Sequence, residues 1–467
     1  MNHRQMTFRL IFRWLTSAAM TLSLALNFSR VAFAQEKVSS PTLKQAVTIA
    51  LEKNPERKAA LADTKAAAAD VKDARSFLLP HVTFSETATR GNDPVYVFGS
   101  KLRQQRFTTA DFALNFLNTP TPFNNFSTRF GGTWNLFDSF ASWRGIHRAE
   151  LVKEAAERQL ERADQEVVFG VVNAYDGVLL ARKELEVAEQ AVKTAHAILE
   201  RSQTRVESGV AVESDLLNAQ VRLASRKQEL IRAQNNLSLA SAELARAMGI
   251  SPDTEIEPAE ILAERSLPQK SLAELEKQAL EARPDWKRIQ SEEAAQQQSV
   301  SIAKSSFGPR VNAFADWEAD NPTFVSGGGG NNWVAGIDIQ VDLFQGGARR
   351  ARLQHEQATQ QKVAALKEAA RDAIRLEVRR AYYDFDAARQ QVEVARVAIA
   401  QAQESLRITQ NRYESGVSTI TDLLSAEEAA SRSQADYWQM VCRYQTSYAN
   451  LELAAGTLNA QSLVVMP

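Results

Sequence analysis

Hydrophobic positions along this chain change period in a fixed order, and then do so again. Helical spacing runs up to Phe77, is interrupted at Pro55, and gives way after Pro80 to period two in "PHVTFSETATR". The same order returns with helical spacing up to Phe307, a break at Pro284, and period two after Pro309 in "PRVNAFADWEA". Each proline break can start a new helix at its first turn. A second period-two segment follows in each set. In "NWVAGIDIQVDLF" Trp333, Ala335, Ile337, Ile339, Val341 and Leu343 fall on one face, and Val334, Gly336, Asp338, Gln340 and Asp342 on the other. The first set keeps this parity with Phe126, Phe130, Trp134 and Leu136. Such alternation predicts strands with one apolar and one polar face.

After these strands the period lengthens. Val171, Ala174, Val178, Ala181, Leu185, Ala188, Val192, Ala195 and Leu199 step by three and four, and adding 207 gives Val378, Ala381, Phe385, Ala388, Val392, Ala395, Ile399, Ala402 and Leu406. A 3.5-residue period predicts a left-handed coiled-coil seam, and its alternating alanines let neighbouring backbones approach closely. A helix from Gly145 to about Val206 would be on the order of 90 Å long at about 1.5 Å per residue. The return helix keeps the spacing with Leu216, Ala219, Leu223, Leu230, Ala233, Leu237, Ala240 and Leu244; only Arg226 breaks it.

Between each pair of helices lies one repeated phrase. "RVESGVAVESDLLNA" from Arg205 and "RYESGVSTITDLLSA" from Arg412 share nine of 15 residues, including Ser208-Gly209-Val210 against Ser415-Gly416-Val417. The repeat is global: residues 41–250 and 271–458 read as two copies of one unit, with a linker at 251–270 and a tail at 459–467. The first copy carries one insertion, read as a loop over 91–127 at the outer rim, opposite the short Gly327–Gly330 run, and expected to pack on its own barrel, the alternatives being a lid over the mouth or a contact outside. Each copy is therefore expected to be a β-hairpin at one end and a long helical hairpin whose Ser-Gly-Val turn lies at the far end.

Composition narrows the setting. Arg4, Arg9 and Arg13 precede the apolar run "LTSAAMTLSLALNF", and "AFA" at Ala32 to Ala34 supplies small residues, the layout of a secretory signal over 1–34. That segment holds four arginines and no acid, so the formal charge of −1 becomes −5 (−1 − 4) after cleavage, which gives no reason to expect nucleic acid. The lone cysteine, Cys442, allows no intramolecular disulfide and stands far from the processed end. After the signal no apolar run of about 18 residues occurs, so entry into a membrane requires a β-barrel. Strands of about ten residues, with aromatics near their ends at Phe84, Phe126, Phe137, Trp317, Trp333 and Phe344, suit one. Four strands cannot close a membrane barrel of about eight or more. Two chains would supply eight and three would supply twelve.

On the duplicated turns, the "LFD" and "LFQG" that end the second strands, the "NP" and "RP" breaks and the closing "LAAGTL", the mature chain resembles the TolC-like outer-membrane efflux protein family. The resemblance implies a mixed α/β homotrimer: four strands per chain in a 12-stranded barrel among outer-membrane lipid, continuing into an α-helical tunnel across the periplasm. It implies a passive exit duct for small-molecule efflux of drugs or toxic compounds, driven by an inner-membrane pump through a periplasmic adaptor. It also implies a gate at the helix tips, where Asp422 matches the first acidic position of the constriction, while Ser425 stands at the second. Tyr413 matches a tyrosine that ties the two hairpins together, with Asp215 as its partner, and Ser418 replaces the arginine of a second clasp. The grooves beside Ser208, Gly209, Val210, Ser415, Gly416 and Val417 match the adaptor-docking region. Read from residues alone, Asp215 and Asp422 suit helix N-termini equally well, and the glycines suit left-handed turns.

No phosphate-cradling loop appears, no nucleophile motif is present, and His81, His147, His196 and His355 are scattered without metal-ligand spacing. The expectation is therefore a protein that is not an enzyme and needs no cofactor or metal. Two alternatives stay open: the same architecture serving type I protein secretion, and a secreted coiled-coil protein with structural or adhesive duties.

Overall fold

The computed structural model describes residues 40–324 and 330–466, so the leader over 1–34 and most of the glycine run lie outside the described residues. The elements recur at fixed offsets. Helices α1 (Leu43–Lys53) and α2 (Pro55–Ser76) have the lengths of α7 (Leu272–Ala282) and α8 (Pro284–Ser305). Long helices α5 (Ala141–Glu207) and α6 (Glu213–Ala247) match α9 (Ala348–Glu414) and α10 (Ile420–Ala454). At 67 residues, α5 and α9 each run about 100 Å. Local chemistry starts the short helices the same way: Thr42 with Gln45, and Ser271 with Glu274, form reciprocal capping boxes, and Pro55 and Pro284 open the helices that follow.

Four strands form one antiparallel sheet in sequence order: β1 (His81–Gly91), β2 (Phe123–Phe137), β3 (Arg310–Asn321) and β4 (Gly330–Gln340). The register places Phe84 opposite Phe130, Phe130 opposite Trp317, and Trp317 opposite Trp333, one aromatic row across the whole sheet. The first three rings touch, with centroids 5.1 and 5.9 Å apart. Val82, Ala315, Ala335, Ala313 and Ile337 continue this face. The opposite face is polar and bonded to itself: Arg129 pairs with Asp316 at 2.9 Å, Ser127 donates to Glu318, and Asn125 donates to Asp320.

The sheet departs from the expected pattern in two places. Asn135 faces Asn312 and Phe137 faces Val311, so Leu136 is the extra residue of a bulge and leaves the parity of Trp134. Strand β4 ends at Gln340, so Val341 and Leu343 lie beyond the paired strand.

The 91–127 insertion is not a plain loop. It folds into α3 (Pro94–Arg103), a 3₁₀ turn (Thr109–Phe112) and α4 (Leu114–Asn118), and its last residues already belong to β2. It packs on its own sheet, on the polar face. Gln104, 1% exposed, donates to Asn125 at 2.7 Å and to the Asn124 carbonyl, and Arg103 reaches Glu318. Gly330 lies so close to the Arg103 carbonyl that a Cβ there would sit 1.8 Å from it.

The main core sits midway along the helices, where α1, α5, α7, α9 and α10 meet the linker and the tail. Seam residues Val171, Val178, Ala181, Val378, Ala381, Phe385, Ala388 and Val392 are buried there. Phe385 stacks on Tyr444 at 5.3 Å. Linker and tail are part of this core: Ile256, Leu262, Val464 and Val465 are buried, and Arg265 donates to the Val464 carbonyl. Asp176, 2% exposed, is buried here too, and burial pushes its carboxyl up to about 7. The thiol of Cys442 donates to the Asp176 backbone carbonyl, and burial raises it to about 12, with Asp176 and Glu184 adding to the shift.

Each return helix ends against the start of a short one. Gly249 (φ +71°) lies where a Cβ would be 2.6 Å from the Asn54 nitrogen, and Gly456 (φ +74°) where it would be 2.8 Å from Arg283 backbone atoms. Asn54 donates to the Ala247 carbonyl, and Arg283 to the Ala454 carbonyl. Different side chains thus satisfy the equivalent helix-end carbonyl.

Candidate functional site at the helix tips

The two tip turns are built alike. At the end of α5 the Gly209 amide donates to Val206 and the Val210 amide to Arg205; at the end of α9 Gly416 donates to Tyr413 and Val417 to Arg412. This is the hydrogen-bond pattern of a helix closed by a left-handed residue, and Gly209 (φ +72°) and Gly416 (φ +79°) supply it. Ser208 and Ser415 each bond back to the carbonyl four residues earlier. The tips themselves are apolar: Val210, Val212 and Val417 are exposed.

The helix starts beyond the turns differ. Thr419 and Asp422 form a capping box in which the Asp422 carboxylate accepts from the Thr419 hydroxyl (2.7 Å), the Thr419 amide (3.0 Å) and the Ser418 hydroxyl (3.0 Å). These bonds, those from Thr419 foremost, hold Asp422 below the usual carboxylate range. Val212 occupies the equivalent of Thr419 and provides no side-chain cap, so Asp215 is a first-turn acid with no side-chain hydrogen bond or ion pair among the described residues. Ser425 is exposed one turn beyond Asp422.

Tyr413 joins the hairpins, by a route other than the one implied. It is 4% exposed, and its hydroxyl lies 3.4 Å from Ser202 Oγ instead of on Asp215. The Arg205 guanidinium stacks on its ring at 4.9 Å and donates to the Tyr413 carbonyl at 3.0 Å. Arg201 pairs with Glu414 at 2.8 Å. A small apolar cluster of Ile198, Ala219, Ile420, Leu423 and Leu424 surrounds the tyrosine. Ser418 leaves no arginine at the position of the second clasp, and Arg205 of the first hairpin lies over Tyr413 instead. The resemblance gave no weight to Arg205, although both repeated phrases begin with arginine.

A sheet with a lipid-suited face, continued by paired coiled-coil hairpins with apolar tips, defines an outer-membrane channel subunit with its helical part in the periplasm. The family model described as outer membrane efflux protein matches residues 46–250 and 275–457. The chain belongs to the outer membrane efflux protein family. It is 24% identical over 474 residues to alkaline protease secretion protein AprF of Pseudomonas aeruginosa, covering 98% of this chain and 91% of that one. It is 23% identical over 430 residues to outer membrane protein TolC of Escherichia coli, covering 88% and 82%. The solved outer-membrane channel OprN shares the fold, with a TM-score of 0.75 at 21% identity over 91% of each chain.

Proposed function

We propose that three copies of this chain close a twelve-stranded barrel that continues into one helical tunnel. The assembly is the passive exit duct of a tripartite export system, driven by an inner-membrane pump through a periplasmic adaptor. It catalyses no reaction. The observation that carries this reading is the aromatic row running across all four strands on one face while the other face is polar. Strands β1 and β4 end the sheet, and their outer edges cannot stay unpaired in lipid, so β4 of one chain pairs with β1 of the next. The internal offsets are those of a duplicated unit, and the two tip turns with exposed Val210 and Val417 form the adaptor-docking grooves.

The cargo in this reading is small toxic compounds. The likeness to AprF over nearly the whole chain favours a second reading, protein secretion through the same duct. Detergent extraction of separated outer membranes, followed by native mass measurement, is expected to return three chains; a monomer in the soluble periplasmic fraction would overturn the barrel. Deleting the gene is expected to sensitise cells to toxic small molecules. Unchanged sensitivity with loss of a protein from the medium would transfer the assignment to secretion.

At the tip, three Asp422 carboxylates ring the axis and favour cations. The folded pKa is depressed, so the cap they contribute is fully present above the unfolded value near 3.9 and is lost as pH falls through the folded value. Within one chain the capping bonds lower the carboxyl, while repulsion between three converging carboxylates raises it, so cation selectivity is expected to be lost as pH falls through the carboxylate range of the ring. Thr419→Ala should move that fall upward. Reversal-potential measurements across a salt gradient read both, and selectivity unchanged in Asp422→Asn would remove Asp422 from the ring.

A further inference from the structure

The one residue that broke the coiled-coil spacing of α6, Arg226, is 6% exposed, and its partner is on the other hairpin. Its guanidinium donates to Glu427 of α10 at 2.8 Å and to Glu229 of its own helix at 2.7 Å, and Glu427 is 2% exposed. Arg222, one turn earlier, pairs with Glu428 at 3.1 Å. Helix α10 packs mainly on α9 and α5 and meets α6 over only a short stretch, which makes these arginines the principal tie between the two return helices.

The pair is poorly suited to a purely stabilising role. Arg226 Nε and Glu427 Oε1 are both buried without a hydrogen-bond partner, so the desolvation of two charges is only partly repaid. An apolar pair would fill the seam at least as well. What a polar pair in a seam does specify is register. The repeat makes the same point, because the residues 207 positions away are Ser433 for Arg226 and Gln220 for Glu427, which cannot form an ion pair. Glu427 also stands five residues beyond Asp422 on α10, about 8 Å along the axis at about 1.5 Å per residue. The tie therefore lies just behind the constriction.

We propose that Arg226 and Glu427 form a second lock, separate from the Tyr413 clasp, which holds the second hairpin in its closed register against the first and must break for the tip to open. The inference rests on the channel reading above. Both are positioning residues: they touch no cargo and act through the placement of α10.

Single-channel conductance in planar bilayers tests it. Glu427→Gln and Arg226→Gln are expected to raise conductance several-fold with the native mass of the assembly unchanged, whereas Arg226→Lys, which keeps the charge, stays within about twofold of the parent. Arg205→Ala with Tyr413→Phe serves as the reference opened variant. If that reference opens and Glu427→Gln and Arg226→Gln conduct like the parent, the second lock is overturned. If the reference also stays closed, the gate reading itself has failed. Should the glutamine variants not assemble, cysteines at 226 and 427 bridged by a short bis-maleimide in the reference background decide the matter. A bridge that restores low conductance supports the lock, and one that leaves conductance high refutes it.

Discussion

Replacing Gly249 or Gly456 by alanine is expected to destabilise the protein by about 3 kcal/mol, against about 1 kcal/mol for the same change at Gly209. All three have positive φ, so each pays the left-handed penalty of about 1–2 kcal/mol. The difference is space. At Gly209 nothing lies within 4 Å of the new methyl group, whereas at Gly249 and Gly456 it meets backbone of Asn54 and Arg283 at 2.6 and 2.8 Å. Backbone cannot step aside as a flexible side chain can, and overpacking of this kind costs about 1–3 kcal/mol more. Denaturant or thermal unfolding of the detergent-solubilised protein measures the difference. Equal losses at Gly209 and Gly249 would mean that the helix ends are not held as closely as the geometry requires.

The second large effect is expected at the tip. Arg205→Ala with Tyr413→Phe should raise single-channel conductance several-fold. The stacked guanidinium contributes about 0.5–2 kcal/mol and its charged hydrogen bond to a carbonyl about 1.5–3 kcal/mol, while the 3.4 Å contact of the Tyr413 hydroxyl adds little. Arginine should therefore dominate, with Tyr413→Phe alone changing conductance little. This ordering is specific to the chain: a clasp centred on Asp215 would show the reverse, with Asp215→Asn opening the channel and Arg205→Ala leaving it closed.

Burial midway along the long helices could be read from the sequence because one period decides it, but past Ala181 in α5 it shifts to Val187, Ala191 and Ile198, leaving Leu185, Ala188, Val192 and Leu199 half-buried. Val378, Ala381, Phe385, Ala388 and Val392 are buried in the register the 3.5-residue spacing sets. Strand faces were legible for the same reason, up to the bulge at Leu136, because an extra residue shifts parity without any change in composition. The insertion packs on its own sheet as expected, but its helices were not legible because they are short and contacts such as Gln104 with Asn125 hold them there. At the tips the repeated phrases marked the turns, and Asp422 turned out to be a capping-box acid. The partner of Tyr413 was not legible, because which helix faces pass each other depends on how the hairpins pack. Periodicity singled out Arg226 but was silent on Glu427, which lies on the opposite hairpin and meets it only in three dimensions.

The buried thiol gives the chain a practical property. Cys442 is 7% exposed and burial raises its thiol to about 12, so at pH 7 it is both protonated and shielded from reagents. A cysteine placed at Val210 or Val417 on the exposed tips would therefore take a maleimide dye or a nitroxide while the native one stays silent. Fluorescence transfer or electron-spin distances between such labels could follow the tips in working protein without first removing the native cysteine.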